Sequence, residues 1–467
     1  MSLRSSLYFI IALLTFSFLA NIYVSQMSIL GALSSLIGFS LLIFTFYADD
    51  DKYILLFYVW SWFLGPFSFV NFYELGYDSL GRLDLVFSLI LSVYFIAKYK
   101  VINQNCLMLL LLVTFSMFLS LLSKEHINDF FDYYYSIVGS ILISYILTVI
   151  IRNKFNCSSL NSGDLFFYLL FFLFAVNISL AYVQLFIPGF HIKSDTIGAS
   201  SWLFGVLINR PLGLLDAAFR FSLSTLILSY FVYVYIKDTY KNLFLIFCFF
   251  FVFPLVILSS KAVGLGIALY IINFCCNKVV FVKRYKTVLL SLFSVFLLFG
   301  LYQLHLSDLD KSTGTKVLVW ITIFNDLMYE SNFFELLFGH GINTAQNLSE
   351  NIPAFISNYA HGNILYDHEI LSSDGFLMPH NIFIQTFYEF GFFVFVALII
   401  PTVRALIVVY NSRNFSFLNL IYLASFTHFN LHNGIFSFYY ILPMLLVLYF
   451  NNDKNRYITS YRLTCLS

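Results

Sequence analysis

This sequence has little charge. Asp, Glu, Lys and Arg together supply 10% of its 467 residues, against 60% hydrophobic ones, where a soluble domain carries about 25% charged residues. Soluble domains of this length would have almost nothing polar to put on their surface, so the composition indicates an integral membrane protein. The 25 Lys and Arg nearly balance the 24 Asp and Glu. With no dense basic run and no basic stripe carrying interleaved aromatics, nucleic acid is argued against as a partner. The alternating ten-residue strands of a membrane barrel are missing as well, which leaves helices to do any crossing. Nor is there a Walker glycine loop, a Rossmann fingerprint, a CxxC pair or a GxSxG elbow, and these absences argue against a nucleotide-driven pump or a serine hydrolase. No internal repeat and no low-complexity segment is evident.

Long apolar blocks are what the sequence has in their place. They run for about 17–25 residues, the length a helix needs to cross a hydrocarbon core of roughly 30 Å. Fourteen can be read (a range of 12–14), at 7–24, 27–47, 53–73, 83–97, 105–122, 133–151, 165–187, 217–236, 243–260, 262–277, 287–304, 391–410, 415–430 and 434–450. The first follows Arg4 and could be taken for a signal peptide, but it lacks a small-residue cleavage site and reads as a retained helix. The fold class expected is therefore an all-α polytopic integral membrane protein. Its parts are a bundle over 1–304 with an outer loop at 188–216, a large outer loop at 305–380, and C-terminal helices with a cytoplasmic tail over 381–467.

Lys and Arg gather in cytoplasmic loops. With the N-terminus inside, about two thirds of the 25 basic residues fall on inner segments; Arg82, Lys124, Lys193, Arg210, Arg220, Lys261, Lys311 and Lys316 stay outside. The six Cys all fall in inner loops or inner halves of spans, which argues against a disulfide framework. The nine His all fall on the outer side, so ionisable chemistry is expected there. Within 305–380, Val317, Trp320, Ile321, Phe324, Leu327 and Met328 recur at helical spacing and predict an amphipathic helix lying on the membrane or on the bundle. Phe338-Gly339-His340-Gly341 reads as the tight turn that ends it.

A charge at the end of a span is expensive and invites a functional reading. Arg210 sits in Asn209-Arg210-Pro211-Leu212-Gly213, Arg220 lies about one turn into the next span, and Lys261 interrupts the run in Ser260-Lys261-Ala262-Val263-Gly264. Cations where helices leave the bilayer suit an anionic ligand whose tail stays in lipid, such as a polyprenyl diphosphate. Snorkelling, or pairing with Asp216 or Asp195, is the structural alternative. His380 precedes an aromatic-rich helix that carries Gln385 and Glu389, and an imidazole there can accept a hydroxyl proton; capping a helix end is the plainer role. His428 and His432 have i, i+4 spacing, but a third ligand with defined spacing is missing, so no metal site and no cofactor is expected.

Taken in order, Arg210-Pro211-Leu212-Gly213, Ser260-Lys261-Ala262-Val263-Gly264, Gly314-Thr315-Lys316 with Trp320, Phe338-Gly339-His340-Gly341, and His380-Asn381 followed after nine residues by Gly391 resemble the motifs of the bacterial O-antigen polymerase (Wzy) and O-antigen ligase (WaaL) superfamily. The resemblance covers about 200–391; the first 190 residues match only as a hydrophobic bundle. It implies a GT-C-like, metal-independent glycosyltransferase of lipopolysaccharide or polysaccharide biosynthesis, multi-pass in the bacterial inner membrane and taking glycan from undecaprenyl diphosphate at the periplasmic face. The implied diphosphate ligands are Arg210, Lys261 and Lys316, with Arg220 beside them, and His380 would act on the acceptor hydroxyl. Lys316 stands where the family commonly has Arg and cannot make Arg's bidentate fork. Val394 stands where a small residue or Tyr is usual. A chain-length regulator and a flippase are the protein partners such an enzyme would have. Polymerase is favoured and ligase to lipid A-core kept open, as is a polytopic transporter or lipid-linked oligosaccharide flippase, which would instead line a path through the bundle with charge.

Overall fold

The computed structural model describes residues 51–64, 83–99, 104–123, 127–155, 165–187, 190, 200–203, 206–215, 218–278, 320, 322–341, 381–431 and 439–450, with isolated positions at 40, 43, 285, 286, 288 and 292. The elements are α1 (Lys52–Leu64), α2 (Leu83–Tyr99), α3 (Gln104–Ser123), α4 (Ile127–Phe155), α5 (Leu165–Phe186), β1 (Ser200–Leu203), β2 (Val206–Asn209) and α6 (Ala218–Tyr235), followed by α7 (Asp238–Ser259), α8 (Lys261–Lys278), α9 (Phe333–Phe338), α10 (Ile382–Asn411), α11 (Phe417–Leu431) and α12 (Tyr439–Phe450). Three of them, α5, α7 and α10, are long and apolar enough to cross a membrane. The helices fall where the hydrophobic blocks predict them, to within a few residues on most ends. The blocks at 7–24, 27–47 and 287–304 lie almost wholly outside the described residues.

Two compact units divide the chain. One joins Met1–Val101 with Ile143–Leu265, the other Ile102–Leu142 with Gly266–Ser467.

In the first unit α5 packs on α1 and α6, and α6 on α7. Along α5 the buried side chains are Phe166, Leu170, Leu173, Phe174, Asn177, Ile178, Ala181 and Gln184, one stripe at the 3.6-residue period. The opposite face shows Tyr168, Phe171 and Phe172. Apolar side chains on both faces are what a helix with lipid on one side and protein on the other requires. Small hydroxyls tie the interior together: Ser222 of α6 lies 3.1 Å from Val256 O of α7, and Asn177 donates to Thr225 at 2.9 Å. A five-residue π turn, Cys248–Val252, lies inside α7 and ends two residues before Pro254; proline has no N–H to give to a regular ladder.

The same unit holds the one departure from an all-helical reading among the described residues. β1 and β2 pair antiparallel, Ser200 with Asn209 through Leu203 with Val206. Trp202, Val206 and Ile208 are strand-favouring residues.

In the second unit α10 packs on α3, α9 and α11, and α3 also meets α9. Asn273 of α8 donates to Val409 O at 3.1 Å. Thr402 is held at both ends: its hydroxyl lies 2.8 Å from the Tyr440 hydroxyl, and its backbone carbonyl accepts from the Tyr422 hydroxyl at 3.0 Å. The segment before α9 is helical at 322–325 and closes in a π turn at Asp326–Glu330. Its inward face is not the predicted one, however. Ile323 and Leu327 are buried, whereas Phe324 and Met328 are 53% and 77% exposed. Leu327 belongs to both sets, and the buried face is rotated from the expected stripe by about a quarter turn.

Candidate functional site

The turn that carries Arg210 is built by two amides on α5. Gln184 and Asn177 lie seven residues apart on its buried stripe, two helical turns, and both reach the backbone of 212–214. Gln184 Oε1 accepts from Leu212 N at 2.8 Å and Gly213 N at 2.7 Å, while its Nε2 donates to Gly213 O at 2.9 Å. Asn177 Oδ1 accepts from Leu214 N at 3.1 Å. Gly213 has φ +57°, and a Cβ there would stand 2.1 Å from Asn177 Oδ1 and 2.8 Å from the Phe221 ring. The glycine of Arg-Pro-Leu-Gly is thereby explained: no side chain fits between this turn and α5.

Ser259, the last residue of α7, shares its hydroxyl proton between Pro211 O and Ala218 O, each 2.8 Å away. Ser260 is extended at φ −140°, ψ 110° and receives Val263 N at 3.4 Å, so it separates α7 from α8 and caps the latter. These contacts bring two motifs that are about fifty residues apart to one point. Arg210 is bonded to Pro211, Arg220 follows Ala218 by two residues, and Lys261 follows Ser259 by two. Three of the expected cations therefore extend from a single junction, beside the N-termini of α6 and α8, where the helix dipole favours an anion. Arg220 and Lys261 are exposed. Arg210 is half-buried, its Nε has no hydrogen-bond partner among the described residues, and burial pushes its guanidinium below the ordinary arginine value.

In the second unit the structure joins two other motifs, backbone to backbone. Gly391 interrupts α10 with φ 76°, ψ −175°. That conformation turns Phe392–Val394 out of line with the preceding helical turn, and the carbonyls of 388–390 find donors elsewhere. Tyr388 O accepts from His340 N at 2.9 Å, Glu389 O from Gly341 N at 3.1 Å, and Phe390 O from Ser116 Oγ at 3.0 Å. The same hydroxyl lies 2.7 Å from Phe338 O. A Cβ on Gly339 would meet Glu389 O at 2.2 Å, and one on Gly391 would meet Leu337 O at 2.4 Å. Each glycine removes the side chain that would hold the other strand of backbone away.

Asn381 caps the start of α10, accepting from Phe383 N at 3.0 Å and Ile384 N at 3.1 Å and donating to Asn430 O at 3.2 Å. The Asn of His380-Asn381 thus has a structural task. His380 and Lys316, the remaining expected site residues, lie outside the described residues. Gln385 and Glu389 are buried one turn apart, with the amide 3.2 Å from each carboxylate oxygen. Among the described residues no three His, Cys, Asp or Glu side chains are disposed to hold a metal. His428 is buried edge-on to the Phe429 ring, and His432 lies outside the described residues.

A group that sequence reading did not single out surrounds His340. Its ring stacks on Tyr388 with centroids 4.2 Å apart and planes within 8°. Nε2 lies 2.8 Å from Ser331 Oγ, 3.5 Å from Asp326 Oδ2 and 3.7 Å from Glu335 Oε2, and Nδ1 lies 3.2 Å from Tyr388 O. Tyr388 donates its hydroxyl to Asp326 Oδ2 at 2.8 Å. The only local hint of it is Asn332-Phe333-Phe334-Glu335, a capping-box pattern that the structure uses in both directions. Set against known protein families, curated proteins and solved structures, the chain matches none.

Proposed function

We propose that this chain is a multi-pass glycosyltransferase of the bacterial inner membrane that takes glycan from undecaprenyl diphosphate and adds it to another lipid-linked repeat unit, as an O-antigen or surface-polysaccharide polymerase. In this reading it has about 14 spans and a GT-C-like bundle, and the cation junction opens on the periplasm. The observation that carries the proposal is that junction: Arg210, Arg220 and Lys261 extend from one point held by Ser259 and Gln184, and Arg210 brings a partly desolvated guanidinium with an uncommitted Nε. A diphosphate is a good leaving group, and preorganised cations stabilise the charge that develops on it without nucleotide or metal. The motif resemblance adds expected roles for Lys316, on the diphosphate, and for His380, whose imidazole would take or orient the acceptor hydroxyl proton.

The test is the lipid-linked and surface glycan of a strain lacking the chain. Core-linked single repeats are the expected outcome. Polymer accumulating on undecaprenyl diphosphate would reassign the chain as the ligase, and an unchanged glycan profile would end the proposal.

A further inference from the structure

The stretch 322–338 buries Ile323 and Leu327 and leaves Phe324, Met328, Tyr329, Phe333 and Phe334 uncovered, each more than half exposed. A surface that meets only water rarely gathers large apolar side chains so closely. A ladder of rings continues this outward face towards the helices. Phe334 packs on Phe338 with centroids 4.8 Å apart, and Phe338 packs on Phe393 of α10 at 5.6 Å and on Phe115 of α3 at 5.8 Å. Phe115 and Phe393 are themselves exposed, as are Leu111 on α3 and Phe392, Val403 and Ile407 on α10. The face of 322–338 is therefore continuous with the apolar outside of a membrane-length helix.

Its depth can be counted along α10. Arg404 and Arg413 stand exposed in the last turns of that helix and just past it, where a cation marks the headgroup region or reaches it by snorkelling. A hydrocarbon core of roughly 30 Å is about 20 residues of helix. Counted back from the two arginines, the opposite boundary falls at about residues 384–393. That is where the stretch docks: His340 N and Gly341 N cap Tyr388 and Glu389, and Phe338 meets Phe393. The uncovered side chains thus lie at the level where hydrocarbon gives way to headgroups.

The charges of the stretch say how it would meet lipid. Residues 320–341 contain Asp326, Glu330 and Glu335 and neither Lys nor Arg. Asp326 accepts from the Tyr388 hydroxyl at 2.8 Å and Glu335 Oε2 from Asn332 N at 2.9 Å, which leaves Glu330 as the exposed acid of the three. Two acids are engaged within the protein, and no cation is present to attract an anionic headgroup.

We infer that 322–338 is a membrane-surface segment: Ile323 and Leu327 hold it to the protein, while Phe324, Met328 and Phe333 enter the bilayer boundary by apolar insertion, without preference for anionic lipid. The ground for this is that α10 crosses the membrane, and it is independent of any glycosyl transfer.

The experiment uses the full-length chain in nanodiscs of phosphatidylcholine, with and without phosphatidylglycerol, carrying a nitroxide on Phe324→Cys, Met328→Cys or Phe333→Cys in a Cys-free background. All three positions are exposed, so the label displaces no packed side chain. Collision with oxygen, which partitions into lipid, is compared with collision with a water-soluble nickel chelate. Val403→Cys, on the exposed face of α10, is the lipid reference, and Asn414→Cys, exposed beyond its end, is the aqueous one. The three labels should favour oxygen over nickel several-fold, as Val403→Cys does, and equally in both lipid mixtures. Nickel access like that of Asn414→Cys would overturn the inference. So would shielding from both reagents with spin–spin broadening, which would give the face to a second copy. Lipid contact found only with phosphatidylglycerol present would overturn insertion by apolar contact alone. If Val403→Cys also reads as aqueous, α10 does not cross the membrane there and the inference falls with it, whatever glycan transfer the chain performs.

Discussion

Replacing Gly391 by alanine adds one methyl group and asks it to occupy space that two backbones already share. At φ 76°, ψ −175° the residue is in a region that is essentially open to glycine alone, and a side chain there costs about 1–3 kcal/mol. The new Cβ would lie 2.4 Å from Leu337 O and 2.5 Å from Gly339 N. Backbone atoms cannot swing aside as the end of a side chain can, so the turn at 339–341 must retreat and release the caps on Tyr388 and Glu389. Overpacking of this kind costs about 1–3 kcal/mol more, for a total of about 2–6 kcal/mol. Gly264→Ala is the matched control. Gly264 has ordinary helical backbone, and its added Cβ would first meet Ile257 Cγ2 at 3.0 Å, the movable end of a side chain. Thermal unfolding of both variants in the same detergent, followed by cysteine exposure or size-exclusion loss, provides the comparison. Gly391→Ala should unfold several degrees below the unaltered chain and Gly264→Ala within a degree or two of it. Equal stability of the two would refute the account of the kink.

Gln184→Leu should destabilise the chain by about 1–3 kcal/mol, because it strands the buried N–H groups of Leu212 and Gly213, and it should lower any activity that depends on Arg210; unfolding and activity measured on one preparation check both. Asn381→Ala should cost about 0.5–2 kcal/mol and Asn381→Asp much less, since a carboxylate oxygen still caps Phe383 and Ile384; equal losses would mean that the contact to Asn430 O matters more than the cap. For topology, cysteine placed at Ser349 in a Cys-free background should react with an impermeant maleimide in intact spheroplasts, and labelling only after lysis would reverse the proposed orientation.

What the sequence makes legible follows from the physics of each feature. Membrane-length apolar runs depend on neighbouring residues alone, and the block at 165–187 coincides with α5 almost residue for residue. The glycines of the ordered motifs were also visible, though not their reason, which is the close approach of backbones in space. Partners far apart along the chain were not visible: Gln184 and Gly213, Ser259 and Pro211, Ser116 and Phe390 meet only through the fold, and nothing in a local pattern pairs them. The rotation of the buried face over 322–330 has a different cause. In a chain whose solvent is in part lipid, an apolar residue marks either the core or the outside, so Phe324 and Met328 fit the same periodicity as the buried Leu327. The two-strand hairpin was hidden because ten residues in an apolar chain carry too little alternation to stand out. His340 was seen as part of a turn, and its carboxylate neighbours come from a π turn and a capping box that spacing alone does not bring together.

The central claim is that the junction of Arg210, Arg220 and Lys261 holds a lipid-linked diphosphate during glycan transfer. It is tested most directly with the purified chain in nanodiscs, given undecaprenyl-diphosphate-linked repeat units as both donor and acceptor and no nucleotide or added metal, with products resolved by length. The account predicts that the unaltered chain lengthens the lipid-linked glycan, and that Arg210→Ala and Lys261→Ala lose most of that activity while inserting and unfolding as the unaltered chain does. Full lengthening by both variants would contradict it and leave these cations as residues that reach for the membrane surface.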